Sequence, residues 1–222
     1  MKKIRILSVS FNSTIKSYEI PAFRGAVAEK AGRKSILFHN HDKNGYKYRY
    51  PLIQYKSLRQ HPVLLCIDEG VDEIHHFFQS KDWDIYLSGR RLDMSIEQMN
   101  LKTFTMQVWD KQWHYSIHNW IALNQKNVGV YNNKPTEQEK KEYLERILTG
   151  NILSFAKGIN WTVDKHINTQ ILRVRNVSTV NLKGNKLLGF HLDFSSNVFL
   201  PNHIGLGKGV SHGYGIITMK KN

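Results

Sequence analysis

The sequence predicts an α+β protein of two ferredoxin-like units, the second degenerate, packed side by side. Three observations carry this. Residues 1–95 show apolar patterns in the order strand, helix, strands, helix, strand, the βαββαβ order of a ferredoxin-like unit. Residues 96–222 hold a further series of strands, a helix, a hairpin and a closing strand. No linker rich in Pro, Gly or Ser separates 1–95 from 96–222, so the two domains should pack closely.

The elements of the first domain follow in order. Lys3 to Phe11, with Ile4, Ile6, Leu7, Val9 and Phe11, reads as a largely buried strand. Pro21 sits at a helix first-turn position, where its missing N–H costs nothing. Ile20, Phe23 and Val27 continue at helical spacing and Gly32 ends the helix. Asp42-Lys43-Asn44-Gly45 is a turn, followed by Tyr46, Tyr48, Tyr50 and Leu52 alternating with Lys47, Arg49 and Ile53 as one long strand. Val63–Ile67 is another strand. Gly70 to Lys81 carries Val71, Ile74 and Phe78 as a second helix, and Trp83–Leu87 reads as the closing strand.

In the second domain Thr103–Trp109 and His114–Leu123 read as strands. Thr136-x-x-Glu139 is a capping box that opens a helix with Tyr143, Leu144, Ile147 and Leu148 on one face. Ile171–Val180 and Leu187–Phe194 form a hairpin turning at Lys183-Gly184-Asn185-Lys186. Along its second arm Phe190, Leu192 and Phe194 point one way, His191 and Asp193 the other. Ile216–Met219 is the last strand.

Charge narrows the partner. The 222 residues carry 32 Lys and Arg against 18 Asp and Glu, a net charge of +14, which points to a polyanion. The excess is uneven: residues 1–61 hold 13 basic against 3 acidic residues, while residues 62–100 are acidic. From Lys165 onward there are 8 basic residues and a single acid, Asp193. The one cysteine, Cys66, lies in an apolar run and reads as a core thiol, which excludes a disulfide scaffold or a cysteine zinc site. With no signal-like or membrane-spanning apolar segment, a soluble, cytoplasmic protein is expected, with no membrane partner.

The densest motif is Gly205-Leu206-Gly207, then Lys208, Gly209, Val210, Ser211 and His212, then Gly213-Tyr214-Gly215. Five glycines in eleven residues describe backbone with positive φ or close approach, and so a loop able to lay N–H groups on phosphates. It is neither a dinucleotide fingerprint nor a P-loop, since no helix follows. The pattern Gly-apolar-Gly, five residues, Gly-aromatic-Gly, close to a final strand, resembles the glycine-rich loop of the RAMP superfamily of CRISPR RNA-binding proteins. Within it, the chain is most similar to the repeat-processing endoribonucleases. The resemblance implies paired ferredoxin-like (RRM-like) folds and RNA as partner. It further implies metal-independent cleavage of CRISPR repeat precursor RNA, in which a ribose 2′-OH attacks the adjacent phosphate to leave a 2′,3′-cyclic phosphate.

That chemistry needs a base, an acid and a cation. The segment Phe38-His39-Asn40-His41-Asp42-Lys43 is the best histidine cluster, and imidazole can take and return a proton near neutral pH. A metal site from His39, His41 and Asp42 and a functionless polar turn are the competing readings of the same letters. The resemblance favours acid–base catalysis. His39 and His41 are the acid–base candidates, either of them able to serve as base or acid, and Lys47 is the charge stabiliser, with Tyr18 and Lys43 held in reserve. RNA contacts are assigned to Gly205, Gly207, Lys208, Gly209, Ser211, His212, Gly213 and Gly215, with Arg24, Arg173 and Arg175. No cofactor and no resident metal are expected. The named partners are the CRISPR repeat RNA, with other effector subunits and a second copy of the chain as further candidates. The main alternative is a non-catalytic RAMP subunit that holds guide RNA in an effector complex. A basic interaction scaffold and a metal-dependent nuclease stand behind it.

Overall fold

The computed structural model describes all residues except 33–35, 40, 43–44, 47–48, 88 and 221–222, and leaves out the side chains of residues 36, 39, 41, 42, 45 and 46. In chain order the elements begin with β1 (Lys2–Phe11), α1 (Ile20–Ala31), α2 (Ile36–His39), β2 (His41–Asp42), β3 (Gly45–Tyr46), β4 (Ile53–Leu58) and β5 (His61–Ile67). Then come α3 (Glu69–Glu73), α4 (His75–Phe78), β6 (Ile85–Leu87), β7 (Arg90–Leu92) and β8 (Ile96–Met106). The rest is β9 (Val108–Trp120), α5 (Gln125–Asn132), α6 (Glu137–Gly158), β10 (Thr169–Leu182), β11 (Asn185–Val198) and β12 (Ile216–Met219). Two compact units result, one of Lys3–Thr105 with Ser211–Gly213, the other of Met1–Lys2, Met106–Val210 and Tyr214–Asn222.

In the first unit the sheet order is β4-β5-β1-β8, with β5 antiparallel to both β4 and β1. Counting only these strands, the order is second, third, first, fourth, as in a ferredoxin-like fold. Leu7, Val9, Phe11, Tyr55, Leu64 and Cys66 face one way and join Phe23 and Val27 of α1 and Phe77 of α4 in one core. Each fully buried Phe or Leu in such a core contributes about 1.5–3 kcal/mol. Cys66 is buried within it, and desolvation pushes its thiol up to about 12, so it is an inert core residue.

Several expected elements differ. The tyrosine strand is not one long strand: among the described residues 49–52 are not strand and β4 starts at Ile53, because Pro51 has no N–H to give a ladder. The helix expected over 70–81 is two short segments, α3 and α4. The expected closing strand at 83–87 pairs instead with β7, turning at Gly89 with φ +82°, outside the main sheet. The fourth strand of the sheet is β8, which the sequence reading placed in the second half. Its pattern hides this, since Glu97 to Thr103 are exposed on both faces of an edge strand.

The second unit repeats the same order: β10-β11-β9-β12, again second, third, first, fourth. The capping box forms as expected, Thr136 Oγ1 accepting from the Glu139 N–H while the Glu139 carboxylate accepts from the Thr136 N–H. Leu144, Leu148, Ile152 and Phe155 are buried along α6, which packs on β10. On the sheet, Tyr115 and Phe194 stack at 5.2 Å and Trp120 lies 6.1 Å from Phe190. The β10–β11 hairpin turns at Lys183 and Gly184, both with positive φ (52° and 81°), which matches the right-handed twist of the arms. Where a ferredoxin-like unit has its second helix, this unit has the glycine loop. The expected degeneracy is therefore a missing helix.

One buried group opposes the fold. Lys56 lies on β4 opposite Val63, on the face away from Tyr55, fully buried, and among the described residues its Nζ has no hydrogen-bond partner. Burial lowers it to about 7. A native state that resists protonation binds fewer protons than the unfolded chain between that value and the ordinary lysine value, so stability rises with pH across this window. The cost is complete below about pH 7 and gone above the unfolded pKa near 10.5. Lys56→Met is expected to raise the melting temperature at pH 6–7 by several degrees, a gain that shrinks steadily as the melt is repeated toward pH 10.

Candidate nucleic-acid interface

The glycine loop is held by β9. Lys208 N–H donates to the Ile121 carbonyl at 3.1 Å and Gly215 N–H to the Asn119 carbonyl at 3.2 Å. Within the loop Leu206 N–H donates to Gly215 O at 2.9 Å and Tyr214 N–H to Gly209 O at 3.3 Å. The Tyr214 hydroxyl reaches the Asn181 carbonyl at 2.6 Å, tying the loop to the end of β10. The glycines are therefore demanded from inside the protein. A Cβ on Gly215 would lie 1.9 Å from the Leu206 carbonyl oxygen, and one on Gly207 would lie 2.7 Å from the Trp120 indole nitrogen. Both have positive φ, 64° and 88°. Gly205 and Gly215 are buried, while Lys208 is exposed and Gly207, Gly209, Ser211, His212 and Gly213 are half-buried. A Cβ on Gly213, in the first unit, would meet Ile20 Cδ1 at 2.4 Å, in the first turn of α1.

Ahead of α1, Tyr18 projects from a short 3-10 turn, Ser17–Glu19, with its ring 75% exposed and Lys16 Nζ 5.8 Å from its centre. Glu19 anchors that turn. Its carboxylate accepts from the Lys16 N–H at 2.8 Å and from the Arg90 guanidinium at 2.9 Å. Those bonds hold it below the usual carboxylate range. Arg24 is half-buried on α1.

His39 ends α2, and His41 opens β2, where it pairs with Tyr46 of β3. The two imidazoles and Lys47 lie outside the described residues, as do Lys43 and the Asp42 carboxylate of the metal reading. The anchor beside them is described. Phe38 is buried, and the fully buried Tyr55 hydroxyl donates to its carbonyl at 3.3 Å while the Tyr55 ring packs on Phe23 at 5.8 Å. Among the described residues no group of three or more His, Cys, Asp or Glu could hold a metal ion.

Arg173 and Arg175 are exposed on β10, Arg173 as the register partner of Asp193. The β10–β11 register shifts between Ile171 and Arg173 and between Val174 and Asn176. Arg175 is tied down: its Nε donates to Asp193 Oδ2 at 2.9 Å, where Lys220 Nζ also lies at 2.9 Å, and Ser116 Oγ donates to Oδ1 at 2.6 Å. Burial alone would raise the Asp193 carboxyl, yet the bonds from Arg175, Ser116 and Lys220 outweigh it and hold the group well below its ordinary value. Beside this cluster the His118 and His191 rings meet edge to face at 5.7 Å, a pair that the sequence reading missed because the two lie on different strands.

Residues 2–105 match the family model of the Cas6b N-terminal domain, and residues 107–220 that of the Cas6b C-terminal domain. The chain belongs to the Cas6b family. A crystal structure of Cas6b superposes with a TM-score of 0.90 at 26% identity, covering 99% of this chain and 100% of the other. A second, described as the CRISPR RNA processing endoribonuclease Cas6b, gives 0.75 at 24% over 99% and 100% of the two chains and shows the shared fold. The uncharacterized protein MJ0978 of Methanocaldococcus jannaschii is 43% identical over 101 residues, which is 46% of this chain and 67% of that protein. The glycine loop and the paired sheets are thus features of a Cas6b-family chain.

Gly215→Ala is expected to cost more than 3 kcal/mol, because strain from positive φ adds to a backbone clash. Gly184→Ala, at a similar φ with open space around it, is expected to cost about 1 kcal/mol. Urea unfolding of the two variants reads the difference.

Proposed function

We propose that this protein is an endoribonuclease that binds CRISPR repeat RNA in a precursor transcript and cuts it by 2′-OH attack without a metal ion. The observation that carries the reading is the match of both halves to Cas6b domains, supported by a Cas6b crystal structure at a TM-score of 0.90. The net charge of +14 and the exposed Lys208 beside the loop suit a phosphate backbone.

The reaction needs three services. A base takes the 2′-hydroxyl proton as that oxygen bonds to phosphorus. An acid supplies a proton to the 5′-oxygen as the P–O5′ bond breaks. A cation offsets the extra charge on the pentacoordinate phosphorus between them. His39 and His41 are the proposed acid–base pair, Lys47 the cation and Tyr18 an auxiliary group. Phe38 and Tyr55 act at one remove, fixing the chain next to His39. Gly205 to Gly215, Arg24, Arg173 and Arg175 hold the RNA.

Cleavage of a labelled repeat RNA is expected to proceed in excess chelator and to stop when the sugar at the cut is 2′-deoxy. His39→Ala and His41→Ala should each slow the cut by about 10²–10⁴-fold while RNA still binds. Binding without any cut would replace this reading with the guide-holding subunit, and a cut restored only by added magnesium would replace it with a metal-dependent nuclease. Lys208→Ala is expected to weaken binding across sequences and lower the salt slope of log K by about 1.

A further inference from the structure

The face of the second sheet opposite Ile117, Leu192 and Phe194 carries a polar group that the proposed cleavage does not use. Ser116, His118, His191 and Asp193 share it through the β9–β11 register. Asn119 adopts φ +49°, a local break that keeps His118 on the polar face and returns Trp120 to the core. The same Asn119 fixes the second imidazole, its Oδ1 lying 2.7 Å from His191 Nε2. His118 is left exposed, with its ring supported edge to face by a neighbour that is itself held.

Cations flank the pair. Arg175 and Lys220 both grip Asp193, yet their side chains remain 48% and 39% exposed, with N–H groups to spare. Two cations on one carboxylate leave a net positive charge. His118 lies against His191 and shares its face with the Asp193 that Arg175 and Lys220 hold. Asp193 is also the one acid between Lys165 and Asn222, so nothing acidic in that stretch is left free to repel a phosphate. The patch adjoins the glycine loop: Ile216 pairs with His118, and the Asn119 carbonyl takes the Gly215 N–H.

We propose that this face is a binding subsite for an unpaired nucleotide of the RNA, its base stacked on the His118 ring and its phosphate on Arg175 and Lys220. The inference rests on reading the protein as RNA-binding and adds where a single strand lies. Four-stranded sheets of this topology bind single strands by stacking bases on exposed rings, which is sequence-tolerant because every base offers a π-face.

The test is fluorescence anisotropy at low salt with labelled ten-nucleotide oligouridylate and oligoadenylate RNAs. His118→Ala is expected to weaken both about tenfold, the usual loss for one stacked base, while His118→Phe keeps affinity within about threefold. Lys220→Ala should weaken both oligomers and flatten their salt dependence. Melting temperatures of the variants check that the fold is intact. Equal affinity of His118→Ala and the parent protein, or equal weakness of the Ala and Phe variants, overturns the subsite. So does a parent protein that binds repeat RNA but neither oligomer. A parent that binds the oligomers but never cuts repeat RNA overturns the cleavage reading and leaves the subsite standing.

Discussion

The second unit depends on how its crossover from β11 to β12 satisfies its backbone. A ferredoxin-like unit makes this crossing with a helix, which supplies its own hydrogen-bond partners. Here a glycine-rich loop crosses instead, and its N–H groups need partners from elsewhere. The carbonyls of Asn119 and Ile121, around the end of β9, supply two of them. That proximity leaves no room for side chains at Gly207 and Gly215, so the sequence motif is the imprint of a loop laid against a strand. What this internal demand leaves exposed in the loop is Lys208 above all.

The first unit solves a different problem, that of placing a short polar segment next to a rigid core. Phe38 is sunk into the core and bonded through its carbonyl to Tyr55 on β4, with Phe23 of α1 behind the ring. His39 and His41 follow within three residues of that anchor. For the proposed acid–base pair a short tether from a packed strand is more precise than a free loop, and this tether costs only one buried hydroxyl with its acceptor at hand. The same strand carries Lys56, whose buried amine lowers stability below neutral pH.

Asp193 organises the polar face of the second sheet. As the only acid in the last part of the chain it would be expected to weaken binding of a polyanion. Its bonds to Ser116, Arg175 and Lys220 convert it into a brace that fixes the direction of an arginine and a lysine. Because the carboxylate keeps two partners when one is removed, the brace tolerates the loss of a single cation better than an isolated buried pair does.

The sequence by itself determined the α+β class, the βαββαβ order of the first half, the α6 capping box, the β10–β11 hairpin and the glycine loop. These are local signals: periodicity, turn residues and caps act within a few positions. Tertiary structure decided which strand closes the first sheet, because β8 is exposed on both faces and carries no alternation, while β6 alternates and pairs elsewhere. It also decided that Arg175 is braced and that His118 meets His191, contacts between strands far apart in the chain. A linear pattern records which face a residue prefers. Only the register between strands, set by packing and by breaks such as that at Asn119, decides which side chain from another strand it meets there.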